Sequence, residues 1–166
     1  MLFRSWGLAI DHDHDRILIT DSGNNRVQSW SLSMQSFLSC IGHRGSGDLE
    51  FQYPQGTAID KHHRRVVITD TDNNRLVFLS SIDLSFLFSV GGKEGSQPGE
   101  FNSPIGIAID DDRHRIIVCD SGNNRVQVLS SIDGSFLFEF GSQGDQPCQL
   151  KLPLGVCTDK IGRAHV

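Results

Sequence analysis

The side chains with the most capacity for chemistry in this sequence are histidines and aspartates, and they fall in clusters. His12 and His14, His62 and His63, and His114 stand in three charged stretches: Asp-His-Asp-His-Asp-Arg (11–16), Asp-Lys-His-His-Arg-Arg (60–65) and Asp-Asp-Asp-Arg-His-Arg (110–115). Imidazoles and carboxylates that converge on one point hold zinc or calcium. Asp21, Asp70 and Asp120 recur ten residues after the first Asp of each stretch and have the chemistry of general acids or bases. Against a metal, the stretches vary from copy to copy, as solvated hairpin tips do, and tips on separate units are expected to diverge. Asp110, Asp111 and Asp112 lack the spaced ligands and terminal Glu of a calcium loop. His43 and His165 are isolated. Against catalysis, Asp21, Asp70 and Asp120 appear once per copy, whereas a reaction needs one asymmetric constellation. Each is expected to accept backbone N–H groups in its own turn. Phosphate-cradling glycine loops, Ser-His-Asp sets and Cys-His pairs are not found. Cys40, Cys119, Cys148 and Cys157 share no zinc-type spacing. The first, second and fourth replace apolar or small residues of sister copies and are expected to be small buried hydrophobes, while Cys148 lies in a polar loop. On these grounds no catalytic residue, metal ligand or cofactor is assigned.

The elements that position these residues come from a repeat. Gly7, Gly56, Gly106 and Gly155 each open Gly-x-x-x-Asp and stand 49, 50 and 49 residues apart. Asn24-Asn25-Arg26, Asn73-Asn74-Arg75 and Asn123-Asn124-Arg125 follow in register. Pro54, Pro104 and Pro153 precede the next Gly by two residues. Each copy reads as four short strands, rich in β-branched and aromatic residues and bounded by Gly, Asp, Asn or Ser. No sustained helical period occurs. The second strand of each copy, such as Ile116-Ile117-Val118-Cys119, does not alternate, so both of its faces must be covered. Tandem four-stranded antiparallel units cover one another in that way when they are arranged around an axis. The expected fold is therefore all-β, a β-propeller of four-stranded antiparallel blades. Asp133-Gly134 marks the hairpin between third and fourth strands; Leu84 replaces that Gly in the second copy, where the turn should be less ideal.

Pro-x-Gly-x-Ala-x-Asp, an apolar run, Asp-Ser-Gly-Asn-Asn-Arg-Val-Gln and Phe-x-Phe-Gly together resemble the NHL repeat, over Gly7 to Asp159. The resemblance implies a propeller of about six blades, of which roughly three and a half are present: 7–54, 55–104, 105–153 and the start of a fourth at 154–160, within a unit 6–160. Residues 1–5 and 161–166 read as non-native ends, because Leu2–Ser5 and Ile161–Val166 match translations of sequencing-adapter ends. Met1 is then no biological start, and the lack of a signal peptide is uninformative.

The formal net charge is −5, from 15 basic and 20 acidic residues. That balance disfavours broad RNA or DNA backbone binding, and no run of 18 apolar residues suits a membrane. Without a disulfide framework the cysteines lean toward a reducing, cytoplasmic setting. Arg26, Arg75 and Arg125 are expected to pair with the adjacent Asp or with loop carbonyls; Asp21, Asn25, Asp70, Asn74, Asp120 and Asn124 complete that turn. The expected role is a scaffold that binds a protein partner. The resemblance implies the target-recruiting part of a larger ubiquitin-ligase-like chain, with an RNA-binding propeller, a sensor domain or a lyase-type enzyme as alternatives. Candidate binding residues lie in the long connections: His43, Arg44, Asp48 and Glu50; Lys93, Glu94 and Glu100; Gln143, Asp145 and Gln146. Open blade ends are expected to favour self-association.

Overall fold

The computed structural model describes residues 5–158 and 164–165. The non-native-end reading falls mainly outside them. Three four-stranded antiparallel sheets follow one another along the chain, each in simple sequential order. The first holds Ser5–Asp11, Arg16–Asp21, Arg26–Ser31 and Phe37–Ile41. The second holds Pro54–Asp60, Arg65–Asp70, Arg75–Ser80 and Phe86–Gly91, and the third Pro104–Asp110, Arg115–Asp120, Arg125–Ser130 and Phe136–Phe140. A fourth unit begins with Cys157–Thr158, paired antiparallel to Ala164–His165. The chain is a partial β-propeller, and its innermost strands pack side by side from blade to blade.

The second strands show why the apolar runs do not alternate. Val66 and Ile68 join Leu18 and Val27 in the layer between the first and second blades. Val67, from the opposite face of the same strand, joins Ile116 and Val118 in the layer between the second and third. In the first blade only one face is covered: Leu18 is buried, while Ile17 and Ile19 are half-buried beside the exposed Leu8, Ile10 and Trp30. Phe51 and Phe101, from the inter-blade connections, are fully buried at the outer rims of these layers. Roughly 2 kcal/mol of transfer free energy accompanies each such buried aromatic or aliphatic side chain.

The hairpins between second and third strands close through single 3-10 turns, Ser22–Asn24, Thr71–Asn73 and Ser121–Asn123. Asn25, Asn74 and Asn124 terminate them in the left-handed region, with φ of 54°, 52° and 55°. Asn takes that conformation at low cost, which is why it recurs there. Leu84 stands at φ 61° where the third blade has Gly134 at 78°. Its side chain is buried against the first inter-blade layer, and this burial offsets the turn strain. Among the described residues no helix is long and apolar enough to cross a membrane.

Candidate functional site

Each hairpin between second and third strands carries a carboxylate with several donors. Arg26, Arg75 and Arg125 place Nε 2.8, 2.8 and 2.7 Å from Asp21, Asp70 and Asp120, directly across the hairpin. Asn24, Asn73 and Asn123 donate side-chain N–H to the same carboxylates, and Gln28 and Gln127 add another donor in the first and third blades. The expected backbone N–H donors from the turn itself are not used. The backbone donors come instead from the preceding connection: Gln52 to Asp70 and Asn102 to Asp120, both at 2.7 Å. The turn directs its own N–H groups elsewhere: Asp72 and Gly122 donate to the carbonyls of Gln52 and Asn102 in the connection, and Asn74 and Asn124 donate to Thr71 and Ser121 to close the 3-10 turn. Hydrogen bonds from Arg26, Asn24 and Gln28 hold Asp21 below the usual carboxylate range against burial, its largest single influence. Deeper burial pushes Asp70 above that range despite equivalent donors.

The same arginines fix the connections. Arg75 donates to the carbonyls of Ser46, Gly47 and Glu50, and Arg125 to those of Ser96, Gln97 and Glu100. Asn25, Asn74 and Asn124 accept backbone N–H from Tyr53, Ser103 and Leu152. Glu50 folds back onto the N–H groups of Ser46 and Gly47, and these bonds, above all Gly47, keep its carboxyl low. Glu100 binds the N–H of Gln97 in the same manner. These two glutamates thus shape their loops. His43 lies 3.2 Å from Glu50, and Glu94 accepts from Asn102. Gln146 donates its N–H to Gln149 and its side chain to Asp145. Arg44, Asp48, Lys93, Gln143, Asp145 and Gln146 are exposed along this face.

Hydroxyls stitch neighbouring blades together along the inner strands. Thr20 donates to Gln55 O and Thr69 to Ile105 O, while accepting from Gly7 and Gly56 N–H. Cys119 occupies the same position in the third blade; burial pushes its thiol up to about 11. The thiol is a poor donor to the next carbonyl, Leu154 O. Cys119→Thr is expected to raise stability by about 1 kcal/mol, the net worth of one buried hydrogen bond, read as a higher urea midpoint. An unchanged or lower midpoint would count against this role for Thr20 and Thr69. Cys119 is buried as expected, but Cys40 and Cys157 are exposed. Cys40 lies on an outermost strand, which no further strand covers.

On the opposite face lie the tips between first and second strands. Asp60 accepts the N–H of His63 at 3.0 Å, and Asp110 that of Arg113 at 3.2 Å. His14 and His63 each set Nδ1 2.9 Å from their Asp. The expected divergence of these tips does not hold between the second and third blades. His62, His63 and His114 present ligand atoms all within 4.8 Å of one another. Blades fan outward from an axis, so the tips nearest the innermost strands draw together, a consequence of assembly that no single repeat displays. Asp111 faces the backbone N–H groups of His62 and Lys61 across the junction; burial, then the neighbouring Asp60, raises its carboxyl against their pull.

The NHL-repeat family profile matches residues 6–29 and 101–129. The chain carries NHL repeats. No curated protein sequence matches it. Solved structures similar to this NHL chain include the WD40 repeats of RRP9 (13% identity, 95% of this chain and 42% of that one, TM-score 0.71). Others are a Bacteroides thetaiotaomicron structural-genomics protein of unknown function (17%, 96% and 43%, 0.72) and Kuenenia stuttgartiensis hydrazine synthase (14%, 95% and 40%, 0.70). At such identities the likeness is one of fold. The NHL chain spans about two-fifths of the length of each of these structures.

Proposed function

We propose that this NHL propeller is a protein-binding scaffold whose inter-blade connections contact the partner, as the target-recruiting arm of a larger, ubiquitin-ligase-like protein. One observation carries the reading. The first two connection backbones are clasped by Arg75 and Arg125, while Arg44, Asp48 and Lys93 project from them into solvent. A fixed backbone bearing free polar side chains loses little conformational entropy on binding, as a recognition surface requires. The net charge of −5 suits a protein partner better than a phosphate backbone. The exposed Leu8, Ile10 and Trp30 support a second association, between copies of this chain through the blade face.

A photo-crosslinking residue placed singly at Asp48, Lys93 or Gln146 tests the reading, with Ser89 on an outermost strand as the control. Sedimentation first separates self-associated chain from monomer. Partner adducts are expected from the three connection positions and not from Ser89. Equal labelling at all four positions, or labelling at Ser89 alone, would refute recognition through the connections.

A further inference from the structure

The junction of the second and third blades holds the one grouping of three metal-ligating side chains found among the described residues, His62, His63 and His114. Their rings stand 4.8, 4.4 and 5.6 Å apart between centroids, inclined by 70°, 57° and 68°. They are not stacked face to face, and a ligand atom of each comes within 4.8 Å of the other two. His63 Nδ1 is held 2.9 Å from Asp60, a fully buried carboxylate, which fixes the ring and leaves Nε2 as the nitrogen available to an ion. Carboxylate–imidazole pairs of this kind orient metal-bound histidines.

Three further observations point to a ligand. Among the described residues three buried side-chain polar atoms lack a hydrogen-bond partner, and two of them, His114 Nδ1 and Asp111 Oδ1, lie at this junction. Buried polar atoms are otherwise almost always satisfied. The grouping is also asymmetric. In register, His62 corresponds to Asp13 and Asp112, and His114 to Asp15 and Arg64, so the neighbouring junction cannot repeat it. Only the contact between His63 and its Asp recurs, at His14. Finally, two of the nearby cations are engaged elsewhere, for Arg65 donates to the carbonyls of Ser131 and Ile132 and lies over Phe88, and Arg113 pairs with Asp110, while Lys61 lies on the side of Asp111.

We propose that His62, His63 and His114 form a three-imidazole site for a divalent ion of the zinc class, bridging two blades. Tetrahedral ligands at about 2.0–2.1 Å from zinc stand roughly 3.3 Å from each other, so closure needs a contraction from within 4.8 Å. The exposed His62 supplies it by side-chain rotation. Three protein ligands leave a fourth position for water or an incoming donor, the arrangement of an accessible rather than a sealed zinc site. The site lies on the face opposite the inter-blade connections, so it stands or falls apart from the recognition surface.

The test uses the full 166-residue chain with Cys40, Cys148 and Cys157 changed to Ser, because these exposed thiols would bind the same ions. Co2+ is titrated and its visible absorption followed, with Zn2+ as competitor. One equivalent with the intense bands of four-coordinate Co2+, displaced by Zn2+, is expected. His62→Ala, His63→Ala and His114→Ala should each weaken binding at least about tenfold, and Asp60→Asn about 10- to 100-fold. His12→Ala, at a tip outside the group, should change nothing. His62 is exposed and its ring contacts are with the other two histidines, so His62→Ala remains decisive if a variant at a less exposed position misfolds. Absence of a stoichiometric Co2+ signal, or one that survives His62→Ala, overturns the proposal.

Discussion

Arg75→Ala is expected to lower stability by about 3–5 kcal/mol at neutral pH, the cost of leaving a buried carboxylate without its counter-charge. Asp70 is fully buried, and the Arg75 side chain is 9% exposed. The substitution strips Asp70 of its charge partner and three carbonyls of their donors. Arg26, at the same place in the first blade, is 38% exposed. Its removal should cost under about 1 kcal/mol, the scale of a solvent-screened pair. The deficit of Arg75→Ala also has a pH dependence with a defined sign. Burial already raises Asp70, and loss of Arg75 raises it further. A raised folded-state value means that the folded chain takes up the proton before the unfolded chain does. Stability lost by the variant at neutral pH is therefore regained as pH falls through the folded-state value. Urea midpoints for the three chains at pH 7 and pH 5 measure both effects. Equal losses for Arg26→Ala and Arg75→Ala, or a deficit that grows toward acid, would show that the clasp is not held by charge.

Gly56→Ala is the second large effect, about 3 kcal/mol or more, at the upper end of overpacking. A Cβ at Gly56 would lie 2.3 Å from Ile105 O and 3.1 Å from Thr69 Oγ1. The first is backbone of the adjacent innermost strand, so relief requires the second and third blades to part. The repeating Gly follows from that approach, not from a turn. Gly155, the same repeat position in the fourth copy, has nothing within 4 Å of such an atom. Gly155→Ala should leave the midpoint within about 0.5 kcal/mol. If both alanines are tolerated alike, the close approach of the innermost strands is not what fixes the repeat.

What the sequence discloses is what happens inside one repeat. The strands follow from runs such as Arg-Val-Val-Ile-Thr and their bounding turns. The absence of alternation in Ile116–Cys119 correctly implies cover on both faces, which Val66, Ile68 and Val67 display directly. Contacts between repeats are less legible. Asp70 finds its backbone donor in Gln52, eighteen residues upstream, where no local pattern points. Glu50 and Glu100 sit in polar connections and read as free surface, yet each folds onto its own loop. Cys40 occupies an apolar register position, but on an outermost strand that position remains exposed. The approach of His62 and His63 to His114 depends on the angle between two sheets. A signal existed in the number of His residues placed at corresponding tips, but periodicity alone does not say which tips meet.

The clasp of the first two connections by the blade that follows each has a consequence for engineering. Arg75 grips residues 46–50 and Asn74 grips Ser103, so the polypeptide is interlocked in overlapping spans and not in discrete petals. A segment cut at Pro54 and Pro104 would arrive in a new host without the loop that its Arg75 must hold. The transplantable module instead begins before Gly42 and ends along an outermost strand, so that loop and arginine travel together. Shuffling of such cassettes, by design or by recombination, should succeed at that offset seam and fail at the seam drawn by the sheets.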